Sequence, residues 1–101
     1  MSTKLRTVLV GVTIYDIRRA ERDPSRCPAT RAIARALGEN VYDVDVSSDY
    51  VYIWDEWDNP RQVYMFEDEQ VKKSIFSWES NLEEIKNVSI LPFEFNLIKR
   101  K

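Results

Sequence analysis

The chain has 101 residues, 44% hydrophobic and 12% aromatic, with a formal net charge of −2. That length and apolar content predict one globular domain spanning 1–101, able to bury a core without disulfides or metals, and exclude a disordered chain. The absence of histidine and the single cysteine, Cys27, exclude Ser-His-Asp and Cys-His nucleophilic systems, His-ligated zinc and thiolate metal cages.

A lone cysteine cannot form an internal disulfide, which fits a reducing compartment. The N-terminal MSTKLRTVLVGV lacks the apolar stretch of a signal peptide. No apolar run approaches the roughly 18 residues that span a bilayer. The expectation is a soluble, cytoplasmic protein (host cytoplasm if phage-encoded) without a membrane partner. Charge is uneven along the chain: residues 1–36 carry eight Lys/Arg against three Asp/Glu, and residues 37–101 carry seven against fourteen. Such polarity can steer partners.

Leu5 to Tyr15 reads as a strand. Val8, Val10, Val12 and Ile14 alternate with Leu9, Gly11, Thr13 and Tyr15, and because both faces are apolar the strand is expected to be central. Gly11 suggests a bulge or a close backbone approach. In the following polar segment, DIRRAER predicts a short helical turn capped by Asp16, and Asp23-Pro24-Ser25 predicts a turn.

Cys27-Pro28 opens a helix running to about Leu37, since proline at the first helical position forfeits no hydrogen bond. Ala29, Ile33, Ala36 and Leu37 make its apolar stripe, Arg31 and Arg35 share a face, and Gly38 ends it at positive φ.

Val41 to Val46 alternates as a strand with Asp43 and Asp45 on a wet face. Ser47-Ser48-Asp49 is a turn. Tyr50 to Trp54 is a strand with Val51 and Ile53 on one face and Tyr50, Tyr52 and Trp54 on the other. Arg61 to Phe66 pairs with it as a hairpin. Asp68 caps a second helix in which Val71, Ile75, Trp78, Leu82 and Ile85 step by four and three, and Asn87 ends it. Ile90 to Lys99 is the last strand, with Phe93, Phe95 and Leu97 inward; Pro92 suits an edge position or the strand's first residues. The order β-α-β-β-β-α-β predicts an α+β fold: a mainly antiparallel sheet of four or five strands with two helices packed on one face.

Three groups are candidate sites. The helix start at Cys27 offers free N–H groups and a positive dipole end, and Arg18, Arg19, Arg22, Arg26 and Arg31 could add guanidinium forks, an arrangement suited to a phosphate or nucleotide. The same field would lower the pKa of an exposed Cys27 thiol. The alternative is a small buried cysteine beside solvated arginines.

The second group is acidic and aromatic: Asp43, Asp45, Asp49, Asp55, Glu56 and Asp58 with Tyr50, Tyr52, Trp54 and Trp57. Spaced carboxylates can imitate a nucleic-acid backbone and occupy a partner's binding groove, with aromatics as anchors. The alternative is a solubilising surface with the rings in the core. The third is carboxylate chemistry, through Asp55 and Asp58 or through Asp43 and Asp45 holding a magnesium-like cation. This is the weakest pattern, and neither a metal, a cofactor nor an enzyme activity is expected.

The stretch DIRRAERDPSRCPATRAIARAL resembles small proteins of phages and mobile elements: Asp16-Ile17, a polar spacer, Cys27-Pro28, a helix with Ala32, Ile33, Ala36 and Leu37, then Pro92-Phe93-Glu94-Phe95. That resemblance implies action by binding a host factor, as in inhibitors of restriction or CRISPR defence. Cys27-Pro28-Ala29-Thr30 also resembles half of the CPxP motif of sulfur-carrier proteins, in which the Cys carries a persulfide; Thr30 stands where the second proline belongs. The expected function is therefore a non-enzymatic anti-defence inhibitor that binds a host protein, with nucleotide sequestration or sulfur transfer as alternatives and a homodimer as a further possibility.

Overall fold

A computed structural model describes residues 6–23, 25–55, 60–82 and 89–100. The described residues form a five-stranded antiparallel sheet with three α-helices, an α+β fold. The elements are β1 (Thr7–Val12), α1 (Ile14–Arg22), α2 (Pro28–Leu37), a 3-10 turn (Val41–Asp43), β2 (Val44–Val46), β3 (Val51–Trp54), β4 (Pro60–Phe66), α3 (Glu69–Ser80) and β5 (Phe93–Arg100).

The strand order is β1-β5-β4-β3-β2. The final strand thus inserts beside β1, and β1 is an edge strand rather than a central one. Its second apolar face is explained by Leu9, which points away from the core and is 59% exposed. Gly11 makes no bulge; it pairs in register with Glu94, and an added Cβ would lie 3.9 Å from that side chain, an ordinary contact. The strand stops at Val12 because Thr13 is already a helix cap. Pro92 precedes β5, and the strand itself is internal, paired to β1 and β4.

The polar segment after β1 is a full nine-residue helix, and Asp16 is its third residue rather than its cap. Thr13 and Asp16 form a reciprocal capping box: the Asp16 carboxylate accepts from the Thr13 backbone N–H at 2.8 Å and its hydroxyl at 3.0 Å, while Thr13 Oγ1 accepts from the Asp16 N–H at 3.4 Å. Helix α2 runs Pro28–Leu37, with Cys27 as N-cap and Gly38 as C-cap at φ 68°. No L side chain adopts that φ readily, and none is present to be strained. Ala36 is solvent-exposed; Ala32 takes its expected place among the buried residues. Val41–Asp43 is a 3-10 turn held by the Asn40 side chain, so β2 starts only at Val44 and Tyr42 is exposed. Helix α3 is capped by Asp68 and ends at Ser80. The α-helix therefore stops short of Leu82, which was expected within it, and the rest of the expected extension, Ile85 to Asn87, lies outside the described residues.

The core forms on one face of the sheet. Val10, Val12, Val44, Val46, Val51, Ile53, Tyr64, Phe66, Phe95 and Leu97 meet Ile17 and Ala20 of α1, Ala29, Ala32 and Ile33 of α2, and Ile75 of α3. Leu9, Asp45, Tyr52, Val63, Met65 and Ile98 point to the opposite face by strand alternation and remain exposed or half-buried.

Candidate functional site

The helix start at Cys27 is enclosed. The Cys27 thiol is buried; its Sγ accepts from the Thr30 N–H at 3.4 Å and lies 3.3 Å from the Thr30 hydroxyl. The anion that a helix N-terminus attracts is supplied internally. Glu79, reaching over from α3, accepts from the Cys27 N–H at 3.3 Å and from the Thr30 hydroxyl. Burial, and then the Glu79 charge, push the Cys27 thiol up to about 12, so the thiol keeps its proton at neutral pH.

This proton has a measurable consequence. The folded-state value lies above the ordinary 9.0, so the contribution is fully present below about pH 9 and is lost as pH rises from 9 toward 12. Unfolding free energies of the wild-type chain from urea denaturation are expected to fall more steeply between about pH 9 and 11 than those of Cys27→Ala, by up to about 1.4 kcal/mol per pH unit. Parallel curves for the two proteins would show that the thiol does not ionise on unfolding.

The arginines grouped by sequence separate in space. Arg18, Arg19 and Arg22 lie exposed on α1, and none of them joins a hydrogen bond or ion pair among the described residues. Arg26 donates from Nη1 to the Ser25 carbonyl at 2.8 Å and sits 5.4 Å over the Tyr42 ring. Arg31 turns to the α1–α2 connection, where its Nη2 donates to the Asp23 carbonyl at 2.7 Å and pairs with its carboxylate at 3.4 Å. Hydrogen bonds from Ser25, with Arg31 beside it, hold the Asp23 carboxyl below its usual range. Arg35, not singled out by sequence, forks onto Asp16 at 2.6 and 3.0 Å and reaches the Gly11 carbonyl at 2.8 Å.

The acidic and aromatic residues divide as well. Val51 and Ile53 are fully buried, whereas Tyr50, Tyr52 and Trp54 are half-buried on the other side of β3. Their rings form a ladder: Tyr50 meets Tyr52 edge-on at 6.0 Å, and Tyr52 stacks on Trp54 at 5.6 Å. Arg100 caps it, 4.9 Å over Tyr50. Across the register, Asp45 faces Tyr52, Tyr52 faces Val63, and Val63 faces Arg100. Asp43 and Asp55 line one depression with Tyr42 and Trp54. Asp49 stands apart, exposed in the β2–β3 turn. Glu56, Trp57 and Asp58 lie outside the described residues.

The helix-free face is therefore graded. Asp45 marks the β2 edge, the rings occupy β3, and Val63, Met65, Ile98 and Leu9 lie toward the β1 edge, interspersed with Arg100, Thr7 and Asn96. Sequence alternation finds Asp45, Tyr52 and Trp54. It misses the aliphatic half, because an apolar residue on a strand gives no sign of which face a helix will leave bare. Glu79 also escapes, 52 residues from Cys27. Asp16 is read from sequence as the cap itself, whereas Thr13 caps α1 and Asp16 answers it from the third position.

Among the described residues, no helix is long and apolar enough to cross a membrane, and no group of three or more Cys, Asp or Glu is placed to hold a metal ion. Comparison with protein-family models, curated proteins and solved structures finds no match. Among the described residues, fold and surface define a small α+β protein whose sheet packs helices on one face and presents half-buried rings and aliphatic side chains on the other.

Proposed function

We propose that the protein acts by binding, through the helix-free face of its sheet, a partner protein that presents a basic, nucleic-acid-binding surface. The observation that carries this reading is the Tyr50–Tyr52–Trp54 ladder, held outside the core and bordered by Asp43, Asp45 and Asp55. Partly exposed rings beside aliphatic side chains anchor protein interfaces, because ordering a rigid ring costs little conformational entropy. The flanking carboxylates select a basic partner and speed its encounter. In a phage setting this is how an inhibitor of host defence would act, as the resemblance of the Asp16–Leu37 stretch implies. Sulfur transfer has less support, since a buried thiol that keeps its proton is a poor persulfide carrier.

The test is capture of a nucleic-acid-binding protein from host lysate, with competition by duplex DNA or RNA. Wild-type chain is expected to retain such a partner, to lose it as salt rises, and to be displaced by the nucleic acid. Tyr52→Ser with Trp54→Ser is expected to weaken retention by at least about 100-fold, or about 2.7 kcal/mol, as for a pair of interface anchors. Retention unaffected by the double substitution would overturn the assignment of the face. Self-association abolished by the same substitutions, seen by light scattering, would replace the basic partner with a second copy of this chain.

A further inference from the structure

Helices α1 and α2 diverge around a groove of about 620 Å³, floored by Ala34 and Val41 and walled by Tyr15, Arg19, Arg31 and Arg35. A second depression of about 240 Å³ lies on the other side of Tyr15 and Arg19 and is bordered by Arg18 and Arg22. Tyr15, Arg18, Arg19 and Arg22 fall three or four residues apart, so they share one stripe of α1. Tyr15 is 81% exposed, with its ring standing on the ridge between the two depressions.

The charges are not balanced. Two carboxylates line the groove, and both are occupied: Asp16 by Arg35 and Thr13, and Glu39 by Arg61. Against them stand Arg18, Arg19 and Arg22, which have no ion-pair or hydrogen-bond partner among the described residues. Arg31, whose charge is paired with Asp23, adds a guanidinium with a donor to spare. Its side chain is only 10% exposed, Nη2 is spent on Asp23, and Nε is buried with no partner. A buried N–H without an acceptor is unfavourable, and a small local shift onto a bound oxygen would satisfy it.

We infer that this groove binds a nucleoside phosphate, with the base stacked on Tyr15 and the phosphate held by Arg19 and Arg31, flanked by Arg18 and Arg22. The groove volume lies within the range of about 300–1,000 Å³ typical of small-ligand sites. Guanidinium forks match phosphate oxygens in pairs, and an exposed ring beside them selects a planar heterocycle over a simple anion. The site is separate from the sheet face of the preceding section and does not depend on that reading. It also differs from the helix start at Cys27, which Glu79 already fills.

The test is an NMR titration of the full chain with adenosine monophosphate, adenosine, inorganic phosphate and a short single-stranded oligonucleotide. The mononucleotide is expected to shift Tyr15, Arg19 and Arg31 resonances and to bind at least about tenfold more tightly than either of its halves. Tyr15→Ala and Arg19→Ala are each expected to weaken it by at least about tenfold without lowering the melting temperature, because both side chains are solvent-exposed. Binding that grows steadily with oligonucleotide length identifies the source as a nucleic-acid strand. Length-independent binding identifies a free nucleotide. Equal binding of phosphate and mononucleotide, with Tyr15→Ala silent, would reduce the groove to a general anion patch and overturn the proposal, as would shifts confined to other surfaces.

Discussion

Replacing Ile33 with alanine is expected to lower the unfolding free energy by about 2–5 kcal/mol and the melting temperature by on the order of 10–30 °C. Ile33 lies fully buried in the middle of α2, the helix that packs across both the β1 side and the β2 side of the sheet. Truncation removes the transfer energy of three carbons and leaves a void that neighbouring elements cannot close without moving together. Alanine is the better helix former, but by only a few tenths of a kcal/mol, so propensity cannot offset the cavity. Ala36, three residues on, is the internal control. It is exposed, and Ala36→Ser is expected to change stability by no more than about 0.5 kcal/mol. Urea denaturation of both variants decides the matter. A cost below about 1 kcal/mol for Ile33→Ala would mean that α2 does not organise the core.

That contrast shows what could be read from the chain and what could not. The ends of α2 are legible because their signals are local: Pro28 at the first position and Gly38 at the left-handed cap each satisfy a constraint set by adjacent residues. Asp68 marks the start of α3 in the same way. Which residues of α2 face inward is less legible, since Ala29, Ala32 and Ala36 differ only in where the sheet lies. The β3–β4 hairpin follows from alternation and a short connection. The place of β5 does not, because nothing in Phe93–Arg100 specifies β1 as its neighbour. Pairing across such a sequence separation is settled by which side chains fit a shared inner face: Phe95 against Val10, and Leu97 against Val8.

The candidate sites divide along the same line. Tyr52 and Trp54 were visible as one face of a strand, and the structure leaves that face bare. The groove beside Tyr15 was not visible, because it exists only where α1 and α2 pack against one another. Arg18, Arg19, Arg22 and Arg31 border the two depressions, whereas the sequence grouped them with the helix start. The helix start has its anion already, while Tyr15, which carries no charge, stands between the two arginine-bordered depressions.

Asp16→Ala is expected to cost about 2–3 kcal/mol, more than Arg35→Ala, although the two residues form one ion pair. Burial alone would favour the opposite order, because Arg35, with 52% of its side chain exposed, regains water when widowed while Asp16, with 6%, does not; the order is set by how many contacts each substitution removes. Asp16 also serves two structures at once. It completes the capping box that starts α1, worth about 0.5–2 kcal/mol, and it holds the Arg35 fork that ties α2 to the Gly11 carbonyl on the edge of β1. Removing Arg35 leaves Asp16 with its two Thr13 donors, and a cost near 1 kcal/mol is expected for a half-exposed charge. A double-mutant cycle separates these contributions, with a coupling of about 1 kcal/mol expected between residues in direct contact. Equal single-mutant costs would show that the capping box contributes nothing beyond the ion pair. If Asp16→Ala is instead as mild as a surface change, below about 0.5 kcal/mol, the α1–α2 junction is not held by this carboxylate. The groove it borders would then have no rigid wall on that side.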